Sequence, residues 1–322
     1  MTADRLGSVE AVAATLRDAD TIGVVGHVGP DGDALGSMVA LSLAARNAGK
    51  EAVASFAEPF VVPAEMSFLD RSTLVPPSDF PTNLDVAVAV DTSVPERVGS
   101  LAGAMGKAGT LVVIDHHLSN GDWGDSILID RTAAATTELV YDVLMELGWE
   151  ITRPIADALY TGLVTDTGRF QYSNTSPRTH EIAADLIERG VRTDTIGQSL
   201  FEETPFGYFD VVSKVLGRAE LNEESGFVWS YVTAEDVSGA GLEFQDIDGL
   251  IDLVRLPRES QVACLLKVKH QGVVKGSLRS RGSVDVAALA GGFGGGGHHN
   301  AAGFTTTGTV EDVIHKLVTH LS

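Results

Sequence analysis

The first half of the chain alternates short apolar runs with segments of helical periodicity, and this pattern constrains the fold more than any other feature. The apolar runs at 20–28, 51–56, 85–90 and 110–114 predict buried strands. Amphipathic helices are predicted at 33–49, 134–147, 154–163 and 177–189. A repeated strand–helix–strand order favours a mainly parallel sheet flanked on both faces by helices, the α/β class.

The regular alternation of apolar runs and helical segments ends at about residue 190. Residues 191–219 are predicted to be helical connecting material. Strand-like runs then follow at 227–233, 261–268 and 272–280, with a candidate helix at 247–256 between the first two. A glycine-rich loop at 291–297 and a last helix at 310–321 come after them. We therefore expect a domain at 1–190, a helical linker at 191–219 and a smaller α+β domain at 220–322.

The charge and the cysteine content of the chain limit its expected binding partners and its expected location. Twenty-three Lys and Arg against 44 Asp and Glu give a net charge of −21, which argues against binding long nucleic acid through the general surface. Such charge usually serves solubility, and its other use is to group carboxylates around cations. One cysteine, Cys264, and the lack of both a secretion leader and a membrane-spanning run predict a cytoplasmic protein that does not contact a membrane.

Acidic and imidazole side chains follow four apolar runs, TIGVVG, VAVAV, TLVVI and TGLVT. They are His27 with Asp31 and Asp33, Asp91, Asp115 with His116 and His117, and Asp166. If each run is a parallel strand, its carboxyl end brings these side chains into one crevice. Read singly, they are helix caps, turn residues or surface histidines.

The residue types of this group indicate metal chemistry. Oxygen and imidazole ligands without thiolate suit Mn²⁺, Mg²⁺ or Fe²⁺. The four aspartates Asp31, Asp33, Asp91 and Asp166 bring about four negative charges, which two divalent cations would neutralise. A pair of such ions is the usual clamp for phosphoester hydrolysis.

A glycine run and a basic strip form a second group. Residues 294–303 read GGGGHHNAAG, and a run of this kind exposes backbone N–H groups to an anion. Upstream, 253–282 contains one acid, Glu259, and seven basic residues, which are Arg255, Arg258, Lys267, Lys269, Lys275, Arg279 and Arg281. Lys275, Ser277, Arg279 and Arg281 alternate, so they share one strand face that could hold a phosphate or a short nucleotide. A flexible turn and a solvated strand face are the alternatives, and Phe293 and Phe304 could stack on a base or pack in the core.

Together these motifs resemble the DHH phosphoesterase superfamily over nearly the whole chain. The matching residues are His27-x-x-x-Asp31-x-Asp33-x-x-Gly36-Ser37, Asp91, Asp115-His116-His117 and Asp166, and the C-terminal run Gly295-Gly296-Gly297-His298-x-x-Ala301-Ala302-Gly303 is similar to the DHHA1 signature. The resemblance implies an active site in the cleft between the two domains and two divalent cations there, Mn²⁺ before Mg²⁺ or Fe²⁺.

The resemblance also implies a role for each motif residue. His27, Asp31 and Asp91 would hold one ion; Asp33, Asp91, His116 and Asp166 would hold the other, with Asp91 bridging. His117 would face the scissile phosphate, and Asp115 would orient its neighbours. The far phosphate or base of the substrate would be held by Ser277, Arg279, Gly296, Gly297, His298 and His299.

Among members of the superfamily, the compact two-domain form is most similar to bacterial oligoribonucleases (nanoRNases) and 3′-phosphoadenosine-5′-phosphate (pAp) phosphatases, some of which hydrolyse cyclic di-AMP or pApA. We therefore expect a homodimeric phosphodiesterase that degrades very short RNA oligonucleotides and dinucleotides to mononucleotides, with nucleotide phosphates such as pAp as further substrates. A pyrophosphatase or polyphosphatase of the same superfamily, and an inactive nucleotide-binding scaffold, stay open as alternatives.

Overall fold

The computed structural model describes residues 5–117, 123–282 and 284–321, apart from the side chain of His298. Within it the chain divides into two compact units, Met1–Glu203 and Thr204–Ser322. Each unit has its own sheet and its own buried apolar clusters.

Unit 1 contains a six-stranded sheet. Its strands are β1 (Arg5–Gly7), β2 (Thr21–Val25), β3 (Glu51–Ser55), β4 (Val86–Val90), β5 (Thr110–Asp115) and β6 (Ser126–Asp130). The strand order is β1-β6-β5-β4-β2-β3, and every pair is parallel except β1 with β6. The predicted parallel sheet is confirmed, although β1 and β6 are not among the predicted strands.

Helices cover the sheet of unit 1. They are α1 (Val9–Asp18), α2 (Gly32–Asn47), α3 (Ala102–Met105), α4 (Thr136–Leu147), α5 (Arg153–Asp166), α6 (Pro177–Glu188) and α7 (Thr193–Phe201). Helices lie on both faces of β4, so all five of its residues are buried, which fits its wholly apolar sequence VAVAV. Helix α2 is buried along nearly its whole length and packs against α5.

One sequence expectation about unit 1 is wrong. The apolar run before Asp166 is not a strand, because α5 continues through it and Asp166 is the last helical residue. The run is the last part of the apolar face of α5. Over only five residues, the alternation of a strand cannot be distinguished from the 3.6-residue repeat of a helix.

Unit 2 contains a second six-stranded sheet. Its strands are β7 (Glu220–Asn222), β8 (Phe227–Thr233), β9 (Val262–Val268), β10 (Val273–Ser280), β11 (Gly296–His298) and β12 (Ala301–Thr307). The order is β11-β12-β10-β9-β8-β7, with only β8 and β9 parallel among these pairs. The helices are α8 (Tyr208–Gly217), α9 (Ala234–Gly239), α10 (Ile251–Val254), α11 (Val286–Gly291) and α12 (Val310–Leu321).

Two predicted elements of unit 2 differ from the structure. The helix expected at 247–256 is a 3₁₀ segment, Phe244–Leu250, followed by the single turn α10. The glycine-rich run is not wholly a loop, since α11 ends at Gly291 and β11 begins at Gly296. Across the described residues, no helix is both long enough and apolar enough to cross a membrane.

Candidate metal centre

Two of the acidic residues lie at the N-terminus of α2, Asp31 just before the helix and Asp33 in its first turn. Asp31 is the N-cap of α2, and its Oδ1 accepts hydrogen bonds from the backbone N–H groups of Asp33 and Ala34 at 3.1 and 3.0 Å. Its Oδ2 is left to point towards His27, 3.6 Å from Nε2. The sequence therefore begins a helix and aims a carboxylate oxygen with the same residue.

Asp91 lies at the centre of the group. It directly follows β4 and has a left-handed backbone, with φ of 58°. Its Oδ2 lies 3.4 Å from His27 Nε2, whereas its Oδ1 lies 3.6 Å from His116 Nε2. The two oxygens of one buried carboxylate thus face two separate sets of side chains.

The second set joins residues from three elements. His116 follows β5, Asp33 lies in the first turn of α2, and Asp166 ends α5. His116 Nε2 is 3.3 Å from Asp166 Oδ2 and 3.9 Å from Asp33 Oδ2. The structure therefore brings all six residues predicted as metal ligands together. His27, Asp31 and Asp91 form one group and Asp33, His116 and Asp166 form another. A third group, Asp91 with His116 and His117, joins the two.

Backbone carbonyls orient the two histidines. His27 Nδ1 lies 3.0 Å from the carbonyl oxygen of Val28, and His116 Nδ1 lies 3.3 Å from that of Ala133. A ring that donates its Nδ1–H to a carbonyl keeps the lone pair of Nε2 for a cation. In both rings, Nε2 is the nitrogen that faces the carboxylates.

Asp115 and His117 form a separate pair. His117 Nδ1 donates to Asp115 Oδ1 at 2.6 Å, and the backbone N–H of His117 donates to the same oxygen at 3.1 Å. Asp91 Oδ1 is also 3.5 Å from this Nδ1, but the shorter bond to Asp115 engages it. His117 is therefore oriented by Asp115, which is fully buried at the end of β5.

The N-terminus of α4 supports the centre, and sequence reasoning missed it. Asp33 accepts hydrogen bonds from the backbone N–H groups of Thr136 and Thr137 at 2.6 and 2.9 Å, and from the Thr137 hydroxyl at 2.9 Å. The Thr136 hydroxyl donates to Asp91 Oδ1 at 2.9 Å. Two adjacent threonines opening a predicted helix were the available signal, because free N–H groups there attract a carboxylate.

The protonation of the centre shows how much negative charge it holds. Burial raises the pKa of Asp33, and repulsion from Asp91 and Asp31 takes it well above the usual range, although Thr137 and Thr136 donate to it. The pKa of Asp166 is also far above its usual range, through burial and then repulsion from Asp33. Four neighbouring carboxylates therefore cannot all ionise without added positive charge.

The three imidazoles respond differently. Burial lowers the pKa of His27, but the neighbouring carboxylates of Asp31 and Asp91 outweigh it and raise the pKa to about 10. Burial similarly opposes protonation of His117, but Asp115 raises its pKa. Burial dominates at His116 and lowers its pKa.

These features fit divalent cations. Ligand atoms lie about 2.0–2.2 Å from such ions, so two atoms on one ion are about 3 Å or slightly more apart. The separations from His27 and His116 to the aspartates, 3.3–3.9 Å, are close to that spacing and long for hydrogen bonds. No described residue forms a hydrogen bond with the buried His27 Nε2, as expected of a nitrogen aimed at a cation.

The residues predicted to bind substrate lie in unit 2. Along β10, Val274, Gly276, Leu278 and Ser280 are buried and the alternate residues are more exposed, which confirms the shared face of Lys275, Ser277 and Arg279. Arg279 donates only to the adjacent Leu278 carbonyl, at 3.0 Å, among the bonds that the described residues make. Lys267 pairs with Lys275 across β9 and β10, but it is buried in an ion pair with Asp248 and is therefore not available to a phosphate.

The glycine-rich run has a packing role. A Cβ on Gly295 would lie 2.2 Å from the carbonyl oxygen of Gly303, and one on Gly297 would lie 2.5 Å from that of Ala301. Gly296 pairs with Gly303, and β11 can approach β12 this closely only without side chains. His299 Nε2 donates to the Gly282 carbonyl at 3.2 Å, while the side chain of His298 lies outside the described part of the chain.

The two phenylalanines beside the run pack together. The rings of Phe293 and Phe304 are stacked, with centroids 4.3 Å apart, and Phe304 is buried in the core of unit 2. Core packing, rather than base stacking, is therefore the role of Phe304.

Comparison with known protein families finds one match in each unit of the chain. Residues 21–163 match the N-terminal domain of the DHH family, and residues 225–322 match the DHHA1 domain. The protein of Thermus thermophilus named bifunctional oligoribonuclease and PAP phosphatase NrnA is 35% identical over 295 residues, which are 91% of this chain and 86% of that protein. The Bacillus subtilis protein of the same name is 31% identical over 186 residues, 57% of this chain and 58% of that one.

Solved structures show the same fold. An exopolyphosphatase-related protein from Bacteroides fragilis superposes with a TM-score of 0.91 at 24% identity, covering 97% of this chain and 95% of that one. RecJ from Thermus thermophilus, in complex with Mn²⁺, gives a TM-score of 0.57 at 13% identity and covers 97% of this chain and 54% of RecJ. Motifs, fold and the two domain matches together place this chain in the DHH family, with a C-terminal DHHA1 domain.

Proposed function

We propose that this protein is a two-metal phosphoesterase that hydrolyses very short RNA oligonucleotides and dinucleotides such as pApA to mononucleotides, and removes the 3′-phosphate of pAp. The observation that carries the proposal is the placement of Asp91, whose two oxygens face two separate sets of nitrogen and oxygen atoms. The names of the Thermus and Bacillus relatives support this substrate class.

Each side chain of unit 1 has a role in this proposal. His27, Asp31 and Asp91 hold one cation, and Asp33, Asp91, His116 and Asp166 hold the other. Two cations in these positions supply Lewis-acid stabilisation of phosphoryl oxygens and a lowered pKa for water. The protein orients these ligands through α2, α4 and backbone carbonyls, so that little reorganisation accompanies the reaction.

His117 is proposed to act on the scissile phosphate. Its Nδ1–H is engaged by Asp115, which directs Nε2 away from that carboxylate. The raised pKa keeps a larger share of the rings protonated near neutral pH, and a protonated Nε2 can donate to a phosphoryl or leaving-group oxygen. Asp115 is therefore a positioning residue.

Unit 2 is proposed to select short substrates. Arg279 and Ser277 on β10, with Gly296, Gly297, His298 and His299, would hold the far phosphate or base. Arginine suits this role because its guanidinium can donate two parallel hydrogen bonds to a phosphate. A single such grip limits the substrate to a few nucleotides, and the net charge of −21 opposes binding of longer strands elsewhere.

Several finer features belong to the same proposal. The metal is Mn²⁺, cyclic di-AMP is a further substrate, and the protein acts as a homodimer in the cytoplasm. Residues 1–190 form the catalytic domain, 191–219 a helical linker, and 220–322 the substrate-binding domain.

The test is hydrolysis by metal-stripped protein before and after addition of Mn²⁺. Release of AMP from pApA should depend strictly on the metal, with pAp and cyclic di-AMP assayed in parallel to rank the substrates. Pyrophosphate should be left intact. Turnover of pyrophosphate with pApA untouched would contradict the proposal.

The variant Asp91→Asn tests the bridging role of Asp91 in the same assay. Asparagine tolerates the left-handed backbone at this position, so the change removes a charge and a ligand oxygen without added strain. We expect turnover to fall by about 10³-fold or more, the effect of losing several kcal/mol of metal stabilisation. Near-normal turnover of this variant at saturating Mn²⁺ would refute the bridging role.

A further inference from the structure

An exposed arginine lies beside the metal centre without belonging to it. Arg97 is part of a 3₁₀ segment, Pro95–Leu101, that follows β4 and Asp91. Its backbone carbonyl accepts a hydrogen bond from the N–H of Val28 at 2.8 Å. The segment is thereby joined to the residue next to His27, a proposed metal ligand.

The segment that carries Arg97 is firmly anchored. Val98 and Leu101 are buried in the core of unit 1. Gly99 has φ of 57°, and a Cβ there would lie 2.9 Å from the Cβ of Ala57 and 3.0 Å from Cγ2 of Val28. The backbone of Arg97 is therefore held against the loop of the metal centre rather than displayed on a free loop.

The charge of Arg97 is not neutralised by a neighbour. Several arginines of unit 1 lie within 4 Å of a carboxylate oxygen, namely Arg5, Arg153, Arg178, Arg189 and Arg192. Within residues 5–117, 123–282 and 284–321, the Arg97 side chain makes neither a hydrogen bond nor an ion pair of this kind. Arg97 follows the carboxyl end of β4, and His117 follows that of the neighbouring parallel strand β5, so both residues lie at the same edge of the sheet.

We infer that Arg97 is a further substrate-binding residue of unit 1, which donates to a non-bridging oxygen of the phosphate undergoing hydrolysis. The inference rests on the proposed function, since it assigns a ligand to the same centre. In a chain with this excess of carboxylates, an exposed guanidinium held beside the reaction centre without an ion pair can accept an anion. Arginine is suited to the negative charge that phosphoryl transfer spreads over those oxygens.

The test compares Arg97→Ala and Arg97→Lys with the wild-type protein, each loaded with Mn²⁺. Arg71→Ala is the matched control, because Arg71 is also exposed and lies in unit 1, three residues before the Leu74 that bridges to Ala54 of β3. We expect kcat/KM for pApA to fall by about 10²–10³-fold in Arg97→Ala, the usual effect of removing one donor to a developing negative charge. Arg97→Lys should recover part of the loss, and Arg71→Ala should stay within about twofold of wild type.

Two binding measurements separate this inference from a structural role and from the proposed function. Calorimetric titration with Mn²⁺ should give the same affinity for wild type and Arg97→Ala, and titration of the loaded proteins with AMP should show weaker binding to the variant. If wild type hydrolyses none of the substrates, the proposed function fails, and AMP binding still tests Arg97. Unchanged kcat/KM and AMP affinity in Arg97→Ala, or loss of Mn²⁺ from it, would overturn the inference.

Discussion

The aspartates at the start of α2 are held by hydrogen bonds that also direct oxygens towards the metal centre. Asp31 Oδ1 caps α2 while Oδ2 faces His27. Asp33 is held through both oxygens, since Oδ1 accepts from Thr137, and Oδ2 accepts from the Thr136 N–H and also faces His116. Carboxylates fixed in this way present their remaining lone pairs in a defined direction. The geometry is therefore set by ordinary helix-terminus hydrogen bonds before any cation arrives.

The protonation of His27 leads to a prediction about cation binding. With a pKa of about 10, His27 is protonated at pH 7 in the metal-free protein. This ion pairing stabilises the fold fully below about pH 6.5, the ordinary pKa of histidine, and the contribution is lost as the pH rises from there towards 10. A cation needs the unprotonated Nε2, so binding must release protons and should strengthen as the pH rises from 6 to 9. Calorimetry with Mn²⁺ in two buffers of different ionisation enthalpy should show release of about one proton or more per chain. Binding heats that are independent of the buffer would contradict this.

The hydroxyl of Thr137 provides a second prediction. Valine has the same shape, so Thr137→Val removes only the hydrogen bond to Asp33 Oδ1. We expect Mn²⁺ affinity to fall by about 10–100-fold, as for other groups that orient metal ligands. Thr137→Ser keeps the hydroxyl and is the control. Calorimetric titration measures both variants, and equal affinities would show that the backbone N–H bonds suffice.

At the residue scale, the metal ligands could be predicted because each carries a distinctive side chain in a distinctive sequence context. The candidate ligands could be named because Asp and His after apolar runs are unusual in type and in number. Thr136 and Thr137 could not, because their importance depends on Asp33, more than 100 residues away in the chain. Two adjacent threonines at a helix start indicate free N–H groups, but the sequence does not show which carboxylate those groups hold.

At the scale of elements, close contact between α2 and α5 positions the second ligand set. A Cβ on Gly36 would lie 2.4 Å from the carbonyl oxygen of Ala158, and one on Gly32 would lie 2.4 Å from Oγ1 of Thr165. The helices can therefore approach closely at both glycines. This approach places Asp33, near the start of α2, beside Asp166, at the end of α5.

Gly162 offers a direct test of this packing. A Cβ at this position of α5 would lie 2.4 Å from Cγ2 of Thr137 and 2.7 Å from Oδ1 of Asp33. We expect Gly162→Ala to destabilise the protein by about 1–3 kcal/mol through overpacking, and to weaken Mn²⁺ binding by moving Asp33. Denaturant unfolding and calorimetric titration measure the two effects.

Gly197 in α7 provides the matched control, because a Cβ there meets open space. Gly197→Ala should be neutral or stabilising by up to about 1 kcal/mol, with unchanged Mn²⁺ affinity. If Gly162→Ala behaves like Gly197→Ala, close helix approach is not what positions Asp33.

The elements themselves were predictable to different degrees. The buried parallel strands β2, β4 and β5 stand out as continuous apolar runs. The three-residue β1 does not, because its pairing with β6 is antiparallel and of long range. Asp166 was expected at a strand end and lies at a helix end, yet it reaches the same centre, because the end of α5 lies beside the start of α2.

At the scale of the whole molecule, the chemistry and the predicted substrate grip belong to different units. All six proposed ligands, with Asp115 and His117, lie in Met1–Glu203, whereas Arg279 and the glycine-rich run lie in Thr204–Ser322. Each buried apolar cluster draws its residues from one unit. This arrangement predicts that binding of metal and binding of substrate can be separated by dividing the chain.

Residues 1–203 expressed alone should therefore fold and bind Mn²⁺ with nearly the affinity of the full chain, because the fragment keeps the sheet, α2, α4 and α5. Hydrolysis of pApA should fall by about 10²-fold or more, since a poorly positioned substrate reacts slowly even at an intact centre. Arg279→Ala in the full chain should show part of this loss without loss of metal. Thermal unfolding with and without Mn²⁺ checks the fragment, and AMP release checks the activity. A folded fragment as active as the full chain would show that unit 2 does not position the substrate, whereas a fragment unable to bind Mn²⁺ would show that the centre depends on unit 2.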